Sequence, residues 1–204
     1  MDSFILIGGK SSRLGRDKAF VEVAGEALVS RAIRTVEAAL PGSRISLSAG
    51  SETQFPAHLL FGLSRPIVFD LHPGFGAWSA LETALGYARG EWIFVFACDL
   101  PNVSSDLIRL LVSRRSDEID AVVPRQADGR LQPLCAFYRV KTVTSMLAKT
   151  FTGSCSPPPL NGIFDELRTR VVEFAELSHL ANADALFANV NTPDDLDVAI
   201  SRGG

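Results

Sequence analysis

The stretch FILIGGKSSRLGRDK, residues 4–18, decides the fold of this chain. It opens with the short apolar run Phe4–Ile7, which predicts a buried strand. Two adjacent glycines follow, and then the three cations Arg13, Arg16 and Lys18. Glycines let backbone N–H groups point into a loop, and cations neutralise a bound phosphate. The stretch therefore predicts a phosphate-binding loop at the end of a strand, with an ordinary basic surface turn as the plainer alternative.

Two familiar phosphate loops do not fit this stretch. Gly9-Lys10-Ser11 resembles the end of a Walker A loop, but the first glycine of that pattern would have to stand at Phe4. The dinucleotide pattern G-x-G-x-x-G also fails, because Gly8 and Gly9 are adjacent and no third glycine is in register. The loop is therefore of another kind, and its glycines and cations predict a nucleotide-using enzyme.

Composition narrows the class of protein. The chain has 204 residues, of which 47% are hydrophobic, and a net charge of −3. This length and composition predict one globular domain spanning residues 1–204. A slightly acidic chain is a poor candidate for binding nucleic acid by bulk charge. No apolar run approaches the roughly 20 residues of a membrane span, and the N-terminus does not read as a secretory signal. We therefore expect neither nucleic acid nor a membrane as a partner.

The cysteines and histidines carry no metal or disulfide pattern. Cys98, Cys135 and Cys155 are odd in number and far apart, so they predict neither a disulfide framework nor a zinc site. Reduced thiols are the simple interpretation, and they favour the cytoplasm. The three histidines are equally scattered and do not suggest a metal site.

Strand-like and helix-like segments alternate along the chain. Trp92–Ala97 is the most apolar run and predicts a central strand that is buried on both faces. The other predicted strands are 44–49, 67–69, 121–123, 132–140 and 171–174, and the predicted helices are 28–40, 77–88, 104–114, 143–150, 160–168 and one beginning at Pro193. This alternation predicts a three-layer α/β domain with a mostly parallel sheet.

Polar residues follow several of the predicted strands, where ligands bind in open α/β sheets. Asp99 comes directly after the most apolar strand and could hold Mg²⁺, which prefers one or two carboxylates together with phosphates. Asp70 follows another strand, and each aspartate could instead serve a turn or cap a helix. In the closing run Asn189–Leu196 the asparagines suit phosphate, ribose or metal-bound water, or else belong to a loop and a helix cap.

Together these pieces resemble the molybdenum cofactor guanylyltransferases, the MobA family of nucleotidyltransferases. The family's opening pattern, L-A-G-G-x-S-x-R-M-G-x-D-K, is similar to Leu6–Lys18. Its acidic residue before a Pro-Gly turn corresponds to Asp70, and its C-D-x-P motif to Cys98–Pro101. Its P-L-x-x-x-Y strand resembles Pro133–Tyr138, and its closing N-x-N-T-P-[ED]-[ED]-L resembles Asn189–Leu196. The resemblance keeps the same order over nearly the whole chain.

The resemblance implies a three-layer α/β/α Rossmann-like sandwich whose mostly parallel sheet has one antiparallel strand. It implies transfer of GMP from GTP to molybdopterin or Mo-molybdopterin, with Mg²⁺ as cofactor and release of pyrophosphate. The product would be the guanine dinucleotide cofactor. Further implied partners are a protein that delivers molybdopterin and a molybdoenzyme that receives the product.

The resemblance also implies roles for individual residues. The backbone from Leu6 to Gly9 would read the guanine, Lys18 and Arg13 would neutralise the triphosphate, and Asp70 would sit near the base and ribose. The implied nucleotide-binding residues are Leu6, Ile7, Gly8, Gly9, Ser11, Lys18, Asp70 and Asp99; the catalytic residues Arg13, Lys18 and Asp99; the metal ligand Asp99; and the acceptor-binding residues Asn189 and Asn191.

Three segments depart from the family pattern. In residues 74–79 the bulky Trp78 stands where the family is small, so it either stacks on a ligand or fills the core. Ser46 or Ser48 stands near the position where the family often has an asparagine. Residues 154–161 lack the family's basic segment on the acceptor side. The sequence therefore supports the nucleotide side of the reaction better than the acceptor side.

Other functions stay open. A sister enzyme could use CTP on the same acceptor, although by the resemblance Gly8-Gly9 favours guanine, because cytidylyl relatives tend to carry alanine-glycine there. A sugar-phosphate nucleotidyltransferase is a second alternative. A nucleotide sensor or adaptor that has lost transfer is a third, and it would bind GTP without releasing pyrophosphate.

Overall fold

The computed structural model describes residues 1–8, 17–56, 58–59, 62–150 and 159–202. Its strands are β1 Asp2–Leu6, β2 Glu22–Val23, β3 Glu26–Ala27, β4 Arg44–Ala49, β5 Ile67–Phe69, β6 Trp92–Ala97, β7 Ala121–Pro124, β8 Cys135–Arg139 and β9 Thr169–Val172. Its α-helices are α1 Leu28–Ala39, α2 Ala77–Tyr87, α3 Ser105–Ser113, α4 Val140–Thr150, α5 Phe174–Leu177 and α6 Pro193–Arg202. Short 3-10 helices cover Lys18–Phe20, Leu160–Asp165 and Ala183–Ala185.

Seven strands form one sheet in the order β5-β4-β1-β6-β8-β7-β9. Only β8 runs against its two neighbours, β6 and β7, and the remaining pairings in this sheet are parallel. The prediction of a mostly parallel sheet with one antiparallel strand is therefore confirmed. The short strands β2 and β3 form a separate antiparallel ribbon.

The central strands are buried because helices cover both faces of the sheet. Every residue of β1 and β6 is buried, so the prediction that Trp92–Ala97 lies in the centre of the sheet is confirmed. One face carries Ile5, Phe94 and Phe96 together with residues of α1 and α3. The other carries Phe4 and Val95 with residues of α2 and α4. This alternation along each strand produces the three-layer sandwich.

Several boundaries differ from the sequence prediction. The first strand begins at Asp2 rather than Phe4, and β9 lies two residues earlier than predicted because its register follows the pairing of Ala121 with Thr169. The segment predicted as a helix at 160–168 is a 3-10 helix over Leu160–Asp165. Strands β2 and β3 were not predicted, because two residues are too few to show a period.

Two buried carboxylates, Asp2 and Asp120, lie at the amino-terminal ends of strands, away from the edge where ligands are expected. Asp2 accepts hydrogen bonds from the backbone N–H groups of Arg89 and Gly90, both at 2.8 Å. Asp120 accepts from Arg168 Nε at 2.8 Å and Nη2 at 2.9 Å, and this pairing holds the pKa of Asp120 below its usual range. Both carboxylates fasten loops to the sheet. Among the described residues, no helix has the length and apolarity to cross a membrane.

Candidate functional site

The strand order creates a crevice between β1 and β6. From β1 the chain moves to β4 and β5 on one side, and it then crosses back to β6 on the other side. Beyond the carboxyl ends of two such strands no crossover covers the sheet, so a ligand can enter. The sheet extends to this edge, where the Cys98 backbone N–H donates to the Leu6 carbonyl at 3.1 Å. Gly8 and Asp99 therefore lie at the crevice, as the sequence predicted.

Lys18 reaches the crevice from the 3-10 turn that follows the first loop. Ala19 is fully buried in the core on the α1 side. The Phe20 ring packs edge-on against the Phe55 ring, with 5.4 Å between the ring centroids. These contacts fasten the turn. The ammonium Nζ of Lys18 lies 2.5 Å from Asp99 Oδ2 and 2.6 Å from Asn191 Oδ1. Three of the predicted site residues, drawn from the two ends of the chain and its middle, thus meet at one point.

Asp99 and Asn191 are held in place by the backbone around them. The Val190 N–H donates to the Asp99 carbonyl at 3.0 Å, which brings the segment before α6 to the end of β6. The cap of α3 is Ser104, whose side chain accepts from the Leu107 N–H, so Asp99 is not needed as a helix cap. The side chain of Asp99 is therefore available to cations in the crevice.

The start of α6 also contains a helix cap, which was one of the two interpretations of the run Asn189–Leu196. Asp195 Oδ2 accepts from the N–H groups of Asn191 and Thr192, both at 2.9 Å, and Thr192 Oγ1 accepts from the Asp195 N–H at 3.2 Å. The Asn191 N–H is the main reason that the pKa of Asp195 lies below its usual range. Thr192 and Asp195 thus serve the helix, while the side chain of Asn191 points to Lys18.

Asp70 lies on a second wall of the crevice, at the end of β5. Its N–H donates to the Ala49 carbonyl at 3.0 Å, and burial raises the pKa of its half-buried carboxyl to about 6. Asp70 Oδ2 lies 4.0 Å from the position that a Cβ would take on Gly50. A Cβ on Gly8 would lie only 3.0 Å from Gly50 N, so the ends of β1 and β4 approach closely at these glycines. Gly50 was not predicted; its one sequence signal is a glycine directly after an alternating strand.

The loop after Asp70 is fastened to α2 by two fully buried hydroxyls. The Leu71 N–H donates to Thr83 Oγ1 at 2.9 Å, and the His72 N–H donates to Ser79 Oγ at 3.2 Å. Nearby, Trp78 is 5% exposed and belongs to the core of this face, which supports the interpretation that it fills the core. Within the unusual segment 74–79, Trp78 and Ser79 therefore pack behind the second wall, while Gly74 and Gly76 are exposed.

The backbone at the end of β1 has its donors occupied. The N–H groups of Ile7 and Gly8 both donate to the Ser48 carbonyl, at 2.9 and 3.2 Å. Leu6 and Ile7 are buried, and Gly8 is exposed. The Ser48 side chain lies beneath them, 2% exposed, and its Oγ has no hydrogen-bond partner among the described residues. Gly9, Ser11 and Arg13 lie outside the described residues, so their roles stay predictions.

A cleft of about 420 Å³ adjoins the Lys18 cluster. It is lined by Gln126, Ala127, Asp128, Arg130, Ala183, Asp184, Phe187, Ala188, Asn189, Asn191 and Asp195. Arg130 is held by Asp128, with Nε 2.7 Å from Oδ2. Of these residues the sequence predicted only Asn189 and Asn191 as ligand contacts. The turn at 126–130 was missed because an Asp-Gly turn between strands is indistinguishable from an ordinary surface turn.

The crevice suits a hard cation bound by few protein ligands. Among the described residues, no group of three or more His, Cys, Asp or Glu side chains could hold a metal ion. Asp99 Oδ2 and Asn191 Oδ1 nevertheless both contact one ammonium group, so this oxygen pair already accepts a cation. Mg²⁺ takes oxygen ligands and commonly uses one or two carboxylates together with phosphates. The oxygen atoms of Asp99 and Asn191 are therefore suitable ligands for Mg²⁺ that is also bound by the phosphates of a nucleotide.

Comparisons with known proteins identify the family of this chain. Residues 3–154 match the family described as "MobA-like NTP transferase domain". A "Probable molybdenum cofactor guanylyltransferase" of Pelotomaculum thermopropionicum is 32% identical over 192 residues, which cover 94% of this chain and 88% of that protein. A protein of Clostridium perfringens with the same name is 29% identical over 200 residues, covering 97% of this chain and 95% of its own.

The fold also has a solved counterpart. The crystal structure of "Molybdopterin-guanine dinucleotide biosynthesis protein A" from Archaeoglobus fulgidus superposes with a TM-score of 0.79, covering 98% of this chain and 97% of that one. At 23% identity this likeness concerns the fold alone. The family match and the relatives that are similar over almost their whole length decide the class. The chain belongs to the MobA-like NTP transferase family and is a nucleotidyltransferase.

Proposed function

We propose that the protein transfers GMP from GTP to molybdopterin or Mo-molybdopterin, forming the guanine dinucleotide cofactor and releasing pyrophosphate, with Mg²⁺ as its cofactor. The observation that carries this proposal is the meeting of Lys18, Asp99 and Asn191 at the crevice, beside a cleft of about 420 Å³. The identity of the acceptor is inferred from the names of the relatives, which refer to the molybdenum cofactor. We call the crevice with Gly8, Gly50 and Asp70 the nucleotide half, and the cleft with Asn189 and Arg130 the acceptor half.

The chemistry asks for charge neutralisation and alignment more than for an acid or a base. An oxygen of the acceptor's phosphate attacks the α-phosphorus of GTP, the bond to the β-phosphate breaks, and pyrophosphate leaves. Lys18 would bind the triphosphate, and Asp99 would hold the metal with the phosphates. Bound Mg²⁺ would neutralise the charge that builds on the phosphate oxygens. Arg13, outside the described residues, is proposed as a second cation for the triphosphate.

Among the described residues, the polar groups that the nucleotide half offers to a base are acceptors, which favours guanine over cytosine. The N–H groups of Ile7 and Gly8 are taken by the Ser48 carbonyl, so at these two residues only a carbonyl oxygen could contact a base. The Asp70 carboxylate is a further acceptor on the same wall. Guanine presents N1–H and N2–H donors side by side, whereas cytosine presents two acceptors beside a single amino group. The two adjacent acceptors of cytosine would find no free N–H at Ile7 or Gly8, and an unpaired polar group is costly.

The acceptor half has the size and polarity of a small-molecule site. A cleft of about 420 Å³ lies within the range of ligand pockets. Its polar lining offers amide groups from Gln126 and Asn189 and the cation of Arg130. Asn191 borders both the cleft and Lys18, so a phosphate held beside it would face the triphosphate. We propose this cleft as the molybdopterin site.

The same proposal includes a compartment and further partners. We propose that the protein works in the cytoplasm, receives its acceptor from a molybdopterin-delivering protein and passes the dinucleotide to a molybdoenzyme. A CTP-using sister activity, a sugar-phosphate nucleotidyltransferase and a non-catalytic adaptor are the competing functions.

A calorimetric titration with GTP, CTP, UTP and ATP in the presence of Mg²⁺ separates these functions. We expect selective GTP binding that weakens at least tenfold in Lys18→Ala and is unchanged in Lys141→Ala, a matched control on the exposed side of α4. Preference for CTP would indicate the sister activity. GTP binding without pyrophosphate release on any acceptor would indicate the adaptor, and binding of no nucleotide would contradict the proposal.

A further inference from the structure

The ammonium of Lys18 occupies a position between two oxygens that a metal ion would also choose. Lys18 Nζ is 2.5 Å from Asp99 Oδ2 and 2.6 Å from Asn191 Oδ1. The side chains of Lys18 and Asp99 are only 17% and 23% exposed. Water therefore screens this ion pair less than it screens the pairs on the outer surface. The protein thus carries its own cation at the centre of the crevice when no nucleotide is bound.

An ammonium and a divalent cation compete for the position between Asp99 Oδ2 and Asn191 Oδ1. Each would stand within a few ångströms of the other, and the repulsion between like charges is strong where water is largely excluded. Mg²⁺ also loses its hydration shell reluctantly. A single carboxylate whose charge is already neutralised by Lys18 attracts Mg²⁺ too weakly to offset that cost of dehydration. A metal ion can take the position between Asp99 Oδ2 and Asn191 Oδ1 only after the ammonium has moved away.

We propose that, in the nucleotide-free protein, the Lys18 ammonium fills the cation position between Asp99 and Asn191, so that a divalent cation enters only together with a nucleoside triphosphate. The phosphates provide a stronger anionic partner for the ammonium, which leaves Asp99 free for the metal. This inference rests on the proposed function, because it needs a nucleotide at the crevice. It adds an order of events: the metal does not bind first.

The surroundings of Asn191 allow this movement without loss of the site. The Asn191 N–H stays bound to Asp195 Oδ2 at 2.9 Å, and the Val190 N–H stays bound to the Asp99 carbonyl at 3.0 Å. The backbone that carries the two oxygens is therefore held independently of Lys18. When the ammonium leaves, the oxygens remain together and can accept another cation.

Binding of Mn²⁺ to the nucleotide-free full-length chain, followed by electron paramagnetic resonance of the free ion, tests the proposal. We expect weak binding to the wild type and to the control Lys141→Met, and at least tenfold tighter binding to Lys18→Met. The double variant Lys18→Met/Asp99→Asn should lose the gain, because the metal then lacks its carboxylate. Lys18→Gln, which keeps a polar side chain, provides a second neutral variant in case Lys18→Met does not fold.

Equal Mn²⁺ affinity of the wild type and the neutral variants, whether tight or weak, would overturn the proposal. A gain that survives Asp99→Asn would overturn it as well, because the metal would then bind elsewhere. Calorimetry with GTP tests the proposed function separately. If the wild type binds GTP while the Mn²⁺ affinities are equal, this inference fails and the proposed function stands.

Discussion

The four parallel strands β5, β4, β1 and β6 present their site residues directly from strand ends, whereas the half of the sheet around the antiparallel β8 presents them from turns. Gly8, Asp70 and Asp99 each follow a strand by one or two residues. The cleft instead takes its walls from the turn at 126–130 and the segment 183–195. Strand ends are placed by sheet hydrogen bonds, so the nucleotide half is preorganised by the fold itself. The acceptor half depends on loops, which vary more easily between relatives.

The carboxylates of the two halves differ in the same way. Asp70 in the nucleotide half is half-buried, and burial raises its pKa to about 6. Asp195 in the acceptor half is bound by backbone N–H groups, which lower its pKa. The ionised Asp70 carboxylate is destabilised by burial, and a ligand can donate hydrogen bonds to it. The Asp195 carboxylate is a helix cap that already accepts hydrogen bonds from the protein itself. Function and stability should therefore respond differently in the two halves.

The largest expected effect comes from the point where the halves meet. Asp99→Ala should reduce the rate of pyrophosphate release roughly 10²- to 10³-fold, the usual effect of removing a preorganised electrostatic group. The fold should persist, because Asp99 contributes to packing through its carbonyl rather than its carboxyl. Asp106→Ala, an exposed aspartate in α3, is the matched control. Near-normal turnover, or unfolding seen by circular dichroism, would refute the role given to Asp99.

The next effect should separate the halves. Arg130→Ala should raise the KM for the acceptor about tenfold and leave the affinity for GTP unchanged, because a group that binds ground and transition states alike mainly affects KM. Steady-state kinetics with varied acceptor and calorimetry with GTP measure the two quantities. Arg109→Ala is an exposed control away from the cleft. Weaker GTP binding in Arg130→Ala would mean that the two halves are not separate sites.

A pH titration should sharpen the contrast within the nucleotide half. Since Asp70 must be ionised to accept from guanine, the affinity for GTP should fall as the pH drops below about 6. Asp70→Asn should bind GTP weakly and without this pH dependence. A GTP affinity that is constant between pH 5 and pH 8 in the wild type would contradict the contact.

The same carboxyl should affect stability with the opposite sign. A pKa that is raised in the folded protein destabilises it as the pH rises through about 6. Nucleotide-free Asp70→Asn should therefore melt at a higher temperature than the wild type at pH 7.5, and the difference should shrink below pH 6. A lower melting temperature for Asp70→Asn at pH 7.5 would show that the carboxylate stabilises the empty protein.

The smallest effects come from two buried hydroxyls that serve as a matched pair. Thr83→Val leaves the Leu71 N–H without its partner, so it should cost about 1–3 kcal/mol in the free energy of unfolding and weaken GTP binding by loosening the loop after Asp70. Ser48→Ala removes a hydroxyl that has no partner among the described residues and should change stability by less than about 0.5 kcal/mol. Urea unfolding measures both. Equal costs would mean that the Thr83 hydrogen bond does not hold the loop.

The sequence predicts the nucleotide half far better than the acceptor half, for a physical reason. Arg44–Ala49, Ile67–Phe69 and Trp92–Ala97 occur with the predicted bounds, because alternation and continuous apolar runs report burial directly. Lys18, Asp99 and Asn191 were each predicted, but their contact was not. It depends on a hydrogen bond between Val190 and Asp99, residues that no local pattern relates. The cleft was missed because its walls are turns whose sequence reports only turning.

Guanylyl transfer at the meeting point of the two halves can be measured as pyrophosphate release from each nucleoside triphosphate, with molybdopterin as acceptor. We expect Mg²⁺-dependent release with GTP, much less with CTP, UTP or ATP, and almost none when Asp99→Ala replaces the wild type. Equal or faster release with CTP, or no release with any nucleotide while GTP still binds, would contradict it.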